Sequence, residues 1–146
     1  MGVVDLDEVL VSPDYTPSDK EKYMNPQMLA YFKKKLLEWH DELVAQTSDT
    51  IHHLQEETHE EPDLNDRASA ETERALELRT RDRGRKLIAK IDEALMRIQD
   101  GEYGYCEETG DPIGVARLMA RPIATLSIEA QERHEREERV QVDYRV

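Results

Sequence analysis

Leu29, Phe32, Leu36, Trp39 and Leu43 follow one another at spacings of 3, 4, 3 and 4. Alternation of three and four marks a helix that lays one apolar seam against another helix. The pattern predicts a first long helix opening at Asn25-Pro26. Asn is a favoured N-cap, and Pro fits the first helical position, where its missing N–H would be unpaired anyway. Beyond Leu43 the stripe weakens to Thr47, Thr50 and Leu54 among polar residues, and Pro62 forbids continuation because its ring clashes with the preceding turn. A second helix is expected from about Asp66 to about Gln99, its later half repeating the seam with Ile88, Ile91, Leu95 and Ile98. Between the halves lies Thr80-Arg81-Asp82-Arg83-Gly84-Arg85, poor in apolar residues, with a glycine that weakens a helix by about 1 kcal/mol relative to alanine. Two such helices joined by a short polar turn make an antiparallel hairpin about 45 Å long. Its seam is strongest at the base and weakest at the tip.

Asp100-Gly101 should end the second helix, since glycine suits the left-handed position that follows a helix. Residues 101–128 are rich in turn signals: Gly101, Gly104, Gly110, Asp111-Pro112, Gly114 and Pro122. A last helix is expected from about Ser127 to Val140, alternating charge through Glu132, Arg133, Glu135, Arg136, Glu137, Glu138 and Arg139. Upstream of Asn25 the chain reads as an acidic, loop-like stretch broken by Pro13 and Pro17. The expected organisation is an acidic segment over 1–24, a hairpin over 25–100 with its tip near 60–68, and a small module with a C-terminal helix over 101–146. The expected class is mostly α: a long antiparallel coiled-coil hairpin on a small globular module.

Composition narrows the function. Charged residues make up 36% of the 146 and the hydrophobic class 38%, with a mean hydropathy of −0.81. That supply is thin for a single compact core and suits extended helices that bury one stripe and solvate the rest. Acidic residues number 33 against 20 basic ones, a net charge of −13. Such a charge opposes direct DNA binding, which needs a basic surface for phosphates, and favours partners with positive clefts. Cys106 is the only cysteine, so no disulfide can form within the chain. The beginning MGVVDLDEVLVSPDY is acidic where a signal peptide needs a basic segment, Gly2 is a weak myristoylation signal, and no stretch approaches the roughly 20 apolar residues of a membrane span. A cytoplasmic monomer without membrane attachment is the expectation.

The small module carries a spacing of chemical interest. A zinc ribbon needs C-x2-C, a loop of about 15–20 residues, and a second C-x2-C, so that four thiolates converge tetrahedrally. Positions 106, 109, 127 and 130 have that spacing, with 17 residues between the pairs. Only Cys106 is a thiol; Thr109, Ser127 and Ala130 stand at the other three. Hydroxyls are not normal zinc ligands and alanine offers none, so these are either vestigial zinc positions or a coincidence of spacing, and no metal is expected, from this set or from Cys106 with His134 and nearby carboxylates. Apolar packing must then hold the module, with Ile113, Val115, Leu118, Leu126 and Ile128 as candidates.

Several segments, taken in order, resemble the DksA/TraR family of RNA polymerase regulators. They are Tyr23-Met24-Asn25, Pro62-Asp63-Leu64-Asn65-Asp66-Arg67-Ala68, Leu76-Glu77-Leu78-Arg79-Thr80-Arg81-Asp82-Arg83, Arg85-Lys86-Leu87-Ile88, Tyr103-Gly104-Tyr105-Cys106-Glu107 and Arg117-Leu118-Met119-Ala120-Arg121-Pro122. The likeness covers roughly residues 20–135, and each piece is weak alone while the ordered set is specific. It is stronger to members with a full hairpin than to the short phage and plasmid members. The resemblance implies a coiled coil that enters the secondary channel of bacterial RNA polymerase and destabilises open promoter complexes. It also implies that guanosine tetraphosphate (ppGpp) binds between factor and polymerase and strengthens the effect.

The family's functional tip, an acidic pair and an alanine, falls on Asp63, Asp66 and Ala68. From residue 56 to 67 there are six acidic residues and one basic, a concentrated negative point. Asp66 also suits capping the second helix, and Asp63 an Asx turn. The family's ppGpp-contacting basic positions fall on Arg83, Lys90 and Arg121, while a further family lysine is Gln131 here. Residues 79–90 hold six basic side chains against Asp82, reversing the global charge locally. Other readings are a secondary-channel factor that promotes transcript cleavage, or a plain coiled-coil adaptor. Enzyme chemistry would have to come from Asp63, Asp66, His52, His53 and His59 near one turn. A hairpin tip has no walls to exclude water or perturb a pKa, so no enzyme is expected.

Overall fold

The computed structural model of the chain describes residues 6–56 and 64–144. Among the described residues there are four helices: α1 (Pro26–Glu56), α2 (Leu64–Asp100), α3 (Val115–Ala120) and α4 (Ile128–Tyr144). No strand forms among the described residues; a single antiparallel bridge joins Tyr105 and Pro112. None of the helices is long and apolar enough to cross a membrane. The described residues divide into two compact units. One is formed by those up to Leu36 together with those from Ala94 onward, and the other is Leu37–Glu93.

The start of α1 is built as the sequence grammar predicts. Asn25 Oδ1 accepts the N–H of Met28 at 3.0 Å, while Nδ2 donates to the Lys22 carbonyl at 2.7 Å and to Glu21 Oε1 at 2.8 Å. One side chain thus satisfies an orphan helix donor and fixes the incoming chain. The expected seam is present, with Phe32, Leu36 and Leu43 buried, and Leu29 and Trp39 half-buried. Met28 and Ala30, outside that seam, are buried as well, because the first turns of α1 are covered on more than one face. The preceding loop supplies part of this cover. Tyr15 stacks edge-on against Tyr31 at 5.9 Å and donates to Glu21, and Lys33 pairs with Asp7 at 3.0 Å.

Within Leu37–Glu93 the two helices run antiparallel. His40 Nε2 meets Asp92 Oδ1 at 3.3 Å, and further along α1 Thr47 lies against Gly84 further back along α2. A Cβ at Gly84 would come within 3.2 Å of Thr47 Oγ1, so the glycine sits at a close approach of the two helices. On α2, Ile91, Ala94 and Ile98 are buried, and Ile88 and Leu95 are half-buried.

α2 stops at Asp100 through a complete Schellman motif. Gly101 has φ 78°, its N–H reaches the Ile98 carbonyl at 3.3 Å, and the Glu102 N–H reaches the Arg97 carbonyl at 2.8 Å. The module beyond packs Tyr103, Cys106, Ile113, Val115, Leu118, Ile123, Ala124 and Ala130 in its interior. Two expected core residues differ: Leu126 is half-buried and Ile128 is 55% exposed. Ile128 is the first residue of α4, and the face that helix buries is set by Ala130, two positions on. The six-residue α3 was not foreseen from the pattern, being too short to show a helical period.

Candidate functional site

Positions 106, 109, 127 and 130, which have the spacing of a zinc ribbon, belong to one neighbourhood. A tight turn carries the first pair: the Cys106 N–H donates to the Asp111 carbonyl at 2.8 Å and the Gly110 N–H to the Cys106 carbonyl at 2.9 Å. Gly110 takes φ 75°, a conformation that glycine adopts without steric cost. Glu107 then donates its N–H to the Thr125 carbonyl at 2.9 Å, bringing the turn beside the segment that leads into α4. There Ser127 caps the helix, its Oγ accepting the N–H of Ala130 at 3.2 Å. Thr109 Oγ1 accepts the Asp111 N–H at 3.3 Å.

These side chains do not fit zinc. A structural site closes a tetrahedron with Cys or His ligands, and this one offers a single thiol, two hydroxyls engaged in backbone hydrogen bonds, and a methyl group at Ala130. Among the described residues no group of three or more His, Cys, Asp or Glu side chains could hold a metal ion. Cys106 is 3% exposed. Burial opposes ionisation of its thiol, but hydrogen bonds from the Thr109 hydroxyl and from the backbone of Ser127, Thr109 and Glu108 outweigh it and lower the pKa to about 6. The sulfur is therefore held by a cluster of hydrogen-bond donors.

Three further contacts tie the turn down, none of them foreseen from the sequence. His134 on α4 pairs with Glu108, and that carboxylate raises the His134 pKa by hydrogen bond and by charge. Arg97, near the end of α2, donates from Nη2 to the carbonyls of Tyr105 at 2.6 Å and Glu102 at 3.2 Å, and from Nη1 to Glu107 at 3.1 Å. The Tyr23 hydroxyl donates to the Gly104 carbonyl at 2.6 Å and accepts the Gly114 N–H at 3.0 Å. Its ring meets Tyr105 edge-on at 5.6 Å. Gly104 takes φ 91°, a conformation that glycine adopts without steric cost, and a Cβ there would also fall 2.8 Å from Met24 Sδ and oblige that side chain to shift. Tyr103, 2% exposed, donates to the Pro122 carbonyl at 2.7 Å, and burial pushes its phenol pKa up.

Of the expected tip residues, Asp63 lies outside the described residues. Asp66 and Ala68 are exposed on the first turns of α2. Asp66 is not the cap that the sequence suggested, since the helix already begins at Leu64. Its carboxylate sits in the first turn, where it complements the helix dipole. Arg83 and Lys90 are exposed on α2, seven residues and so about 10 Å apart along one face. Arg121 is exposed at the end of α3, in the other unit. Gln131 is half-buried and its amide donates to Glu135 at 3.3 Å.

The described residues thus form a mostly helical protein in which a helical hairpin is followed by a tightly hydrogen-bonded turn and a C-terminal helix capped by Ser127. The family described as "DnaK suppressor protein DksA, N-terminal domain" matches residues 28–98, and "Prokaryotic dksA/traR C4-type zinc finger" matches residues 101–136. The chain is similar to the RNA polymerase-binding transcription factor DksA of Caulobacter vibrioides, at 65% identity over 89% of this chain and 92% of the relative. Its similarity to the protein of the same name in Escherichia coli K12 is 44%, over 80% and 78% of the two chains. Among solved structures, transcription factor DksA2 from Pseudomonas aeruginosa matches with a TM-score of 0.73 and 45% identity, covering 80% of this chain and 90% of the other. The chain belongs to the DksA/TraR family.

Proposed function

We propose that this protein regulates bacterial transcription by binding RNA polymerase, with the α1–α2 hairpin entering the secondary channel as an acidic finger. The similarity over nearly its whole length to RNA polymerase-binding transcription factors carries the reading. The finger destabilises open promoter complexes, and the channel's chemistry explains why it is acidic. A passage for anionic nucleotides has basic walls, so a negative tip is drawn in and can approach the catalytic magnesium. Asp63, Asp66 and Ala68 form the acting tip.

Arg83, Lys90 and Arg121 contact ppGpp at the interface with polymerase, as charge-assisted donors to phosphate oxygens. Gln131 offers an amide where the family has a lysine, so one cationic phosphate partner is lost and the ppGpp response is retained but weakened. No step in this mechanism passes through a metal, and the protein is not an enzyme. It acts as a monomer in the cytoplasm beside polymerase, without direct contact to DNA.

The test is transcription by purified bacterial RNA polymerase from a ribosomal RNA promoter, with wild type or Asp66→Asn, with and without ppGpp. Inhibition by wild type that ppGpp deepens and the variant loses is expected. Polymerase binding without inhibition would leave a plain adaptor, and stimulated cleavage in a backtracked complex would make it an anti-stalling factor.

A further inference from the structure

The α2 residues facing along the helix seam change character at Gly84. Continuing the spacing of Ile98, Leu95, Ile91 and Ile88 by alternate fours and threes leads to Gly84, Arg81, Glu77, Arg74 and Ala70. The positions from Ile88 onward are apolar and buried or half-buried. Those before Gly84 are mostly charged. From Asp66 to Arg83 only Ala70, Glu77 and Arg81 are other than exposed, and none is fully buried. The two leucines of this stretch point off the seam, Leu76 at 55% and Leu78 at 40% exposure. Arg81 Nε is shielded from solvent and meets no hydrogen-bond acceptor. Gly84 sits at the junction, where a Cβ would come within 3.2 Å of Thr47 Oγ1.

A helix in water is marginal unless a face of it is buried, and regions with few buried apolar contacts open at a fraction of the global stability. Charges on a seam add to this, because their desolvation offsets much of their attraction. Glycine weakens the helix where the two regimes meet. We infer that residues 66–83 of α2 form a separately opening segment of the finger, with a boundary at Gly84, while residues 88–98 open only with the rest of the fold. Docking on any partner then carries an ordering cost for this segment. The inference concerns the free protein and does not depend on which partner it meets.

The test is native-state hydrogen exchange on the full chain, read residue by residue across a range of low urea concentrations. Amides of 70–83 should exchange at least about tenfold faster than those of 88–97, with little dependence on urea, and the step should fall at Gly84. In Glu77→Leu/Arg81→Leu the seam becomes apolar, and exchange of 70–83 should slow about tenfold or more while 88–97 stays unchanged. A gradient confined to the first two turns of α2 would be ordinary end fraying and would overturn the inference. So would equal protection and equal urea dependence on both sides of Gly84. Should the double variant fold poorly, the wild-type profile alone decides between these outcomes.

Discussion

Replacing Tyr23 by Phe removes one oxygen and leaves the ring against Tyr105. That oxygen serves two backbone groups far off in the sequence, accepting from Gly114 N–H at 3.0 Å and donating to the Gly104 carbonyl at 2.6 Å. A neutral hydrogen bond contributes about 1 kcal/mol net, and a shielded partner left unpaired costs about 1–3 kcal/mol. Gly104 is buried and Gly114 half-buried, so the loss should be about 2–3 kcal/mol. With a urea slope of about 2 kcal/mol per molar, the midpoint should fall by about 1 M. Near-ultraviolet circular dichroism of the tyrosines reports on the module, and Trp39 fluorescence on the paired helices. Tyr105→Phe is the control, because its hydroxyl makes no hydrogen bond among the described residues, and it should change the midpoint little. A shift for Tyr23→Phe below about 0.3 M, or an equal shift for the control, would refute the assignment of Tyr23 as the link between the start of α1 and the module.

Cys106 should ionise near pH 6 in the folded protein, against an ordinary value of 9.0. Because the folded value is depressed, its contribution to stability is fully present above pH 9.0 and disappears as pH falls through 6. Ultraviolet thiolate absorbance gives the titration, and the stability difference between wild type and Cys106→Ser should grow from pH 6 towards pH 9. The His134 pair has the opposite sign. Its pKa is raised by Glu108, with Glu137 and Glu138 assisting, so its contribution is complete below the ordinary 6.5 and is lost as pH rises through the folded value. The stability gap between wild type and His134→Ala should therefore be larger at pH 5.5 than at pH 8.5, and a flat gap would contradict the pairing. For ppGpp, Gln131→Lys should deepen the response of transcription, whereas Lys90→Ala with Arg121→Ala should abolish it. An unchanged response in that double variant would remove those residues from the effector site.

The seam of Phe32, Leu36 and Leu43 and the pair Ile91 and Ile98 were legible because a long helix repeats its burial every three or four residues. Asn25-Pro26 and Asp100-Gly101 were legible because capping chemistry is local. The nearness of positions 106, 109, 127 and 130 could also be read, since a pair of x2 spacings separated by one loop brings two turns together. What could not be read is what depends on distance through space. Tyr23 and Gly104 lie 81 residues apart, and Glu108 and His134 lie 26 apart, with no period to connect them. No sequence pattern singles out Arg97, whose hydrogen bonds reach residues 102, 105 and 107 because the chain turns back at Gly101. Ile128 misled for a related reason: an apolar residue in the first turn of a helix is buried only if that turn faces the core.

A tetrahedral zinc would join the Cys106 turn to the start of α4 through four bonds and could supply about 10–16 kcal/mol to a small domain. Hydrogen bonds at about 1 kcal/mol each cannot replace that one for one. The Glu107–Thr125 bond, the Ser127 cap and the donors around the Cys106 sulfur hold the geometry of the junction without matching a metal's energy. The remainder has to come from contacts that leave the ribbon altogether. Arg97 binds it to the last turn of α2, Tyr23 and Met24 bind it to the approach to α1, and Phe32 packs at 5.7 Å from Tyr103. In a metal-bearing finger, stability is concentrated at one point that chelators and oxidants can attack. Here contacts run from the module to the first turns of α1 and the last turn of α2, all within one compact unit, so its stability is spread over residues far apart in the sequence.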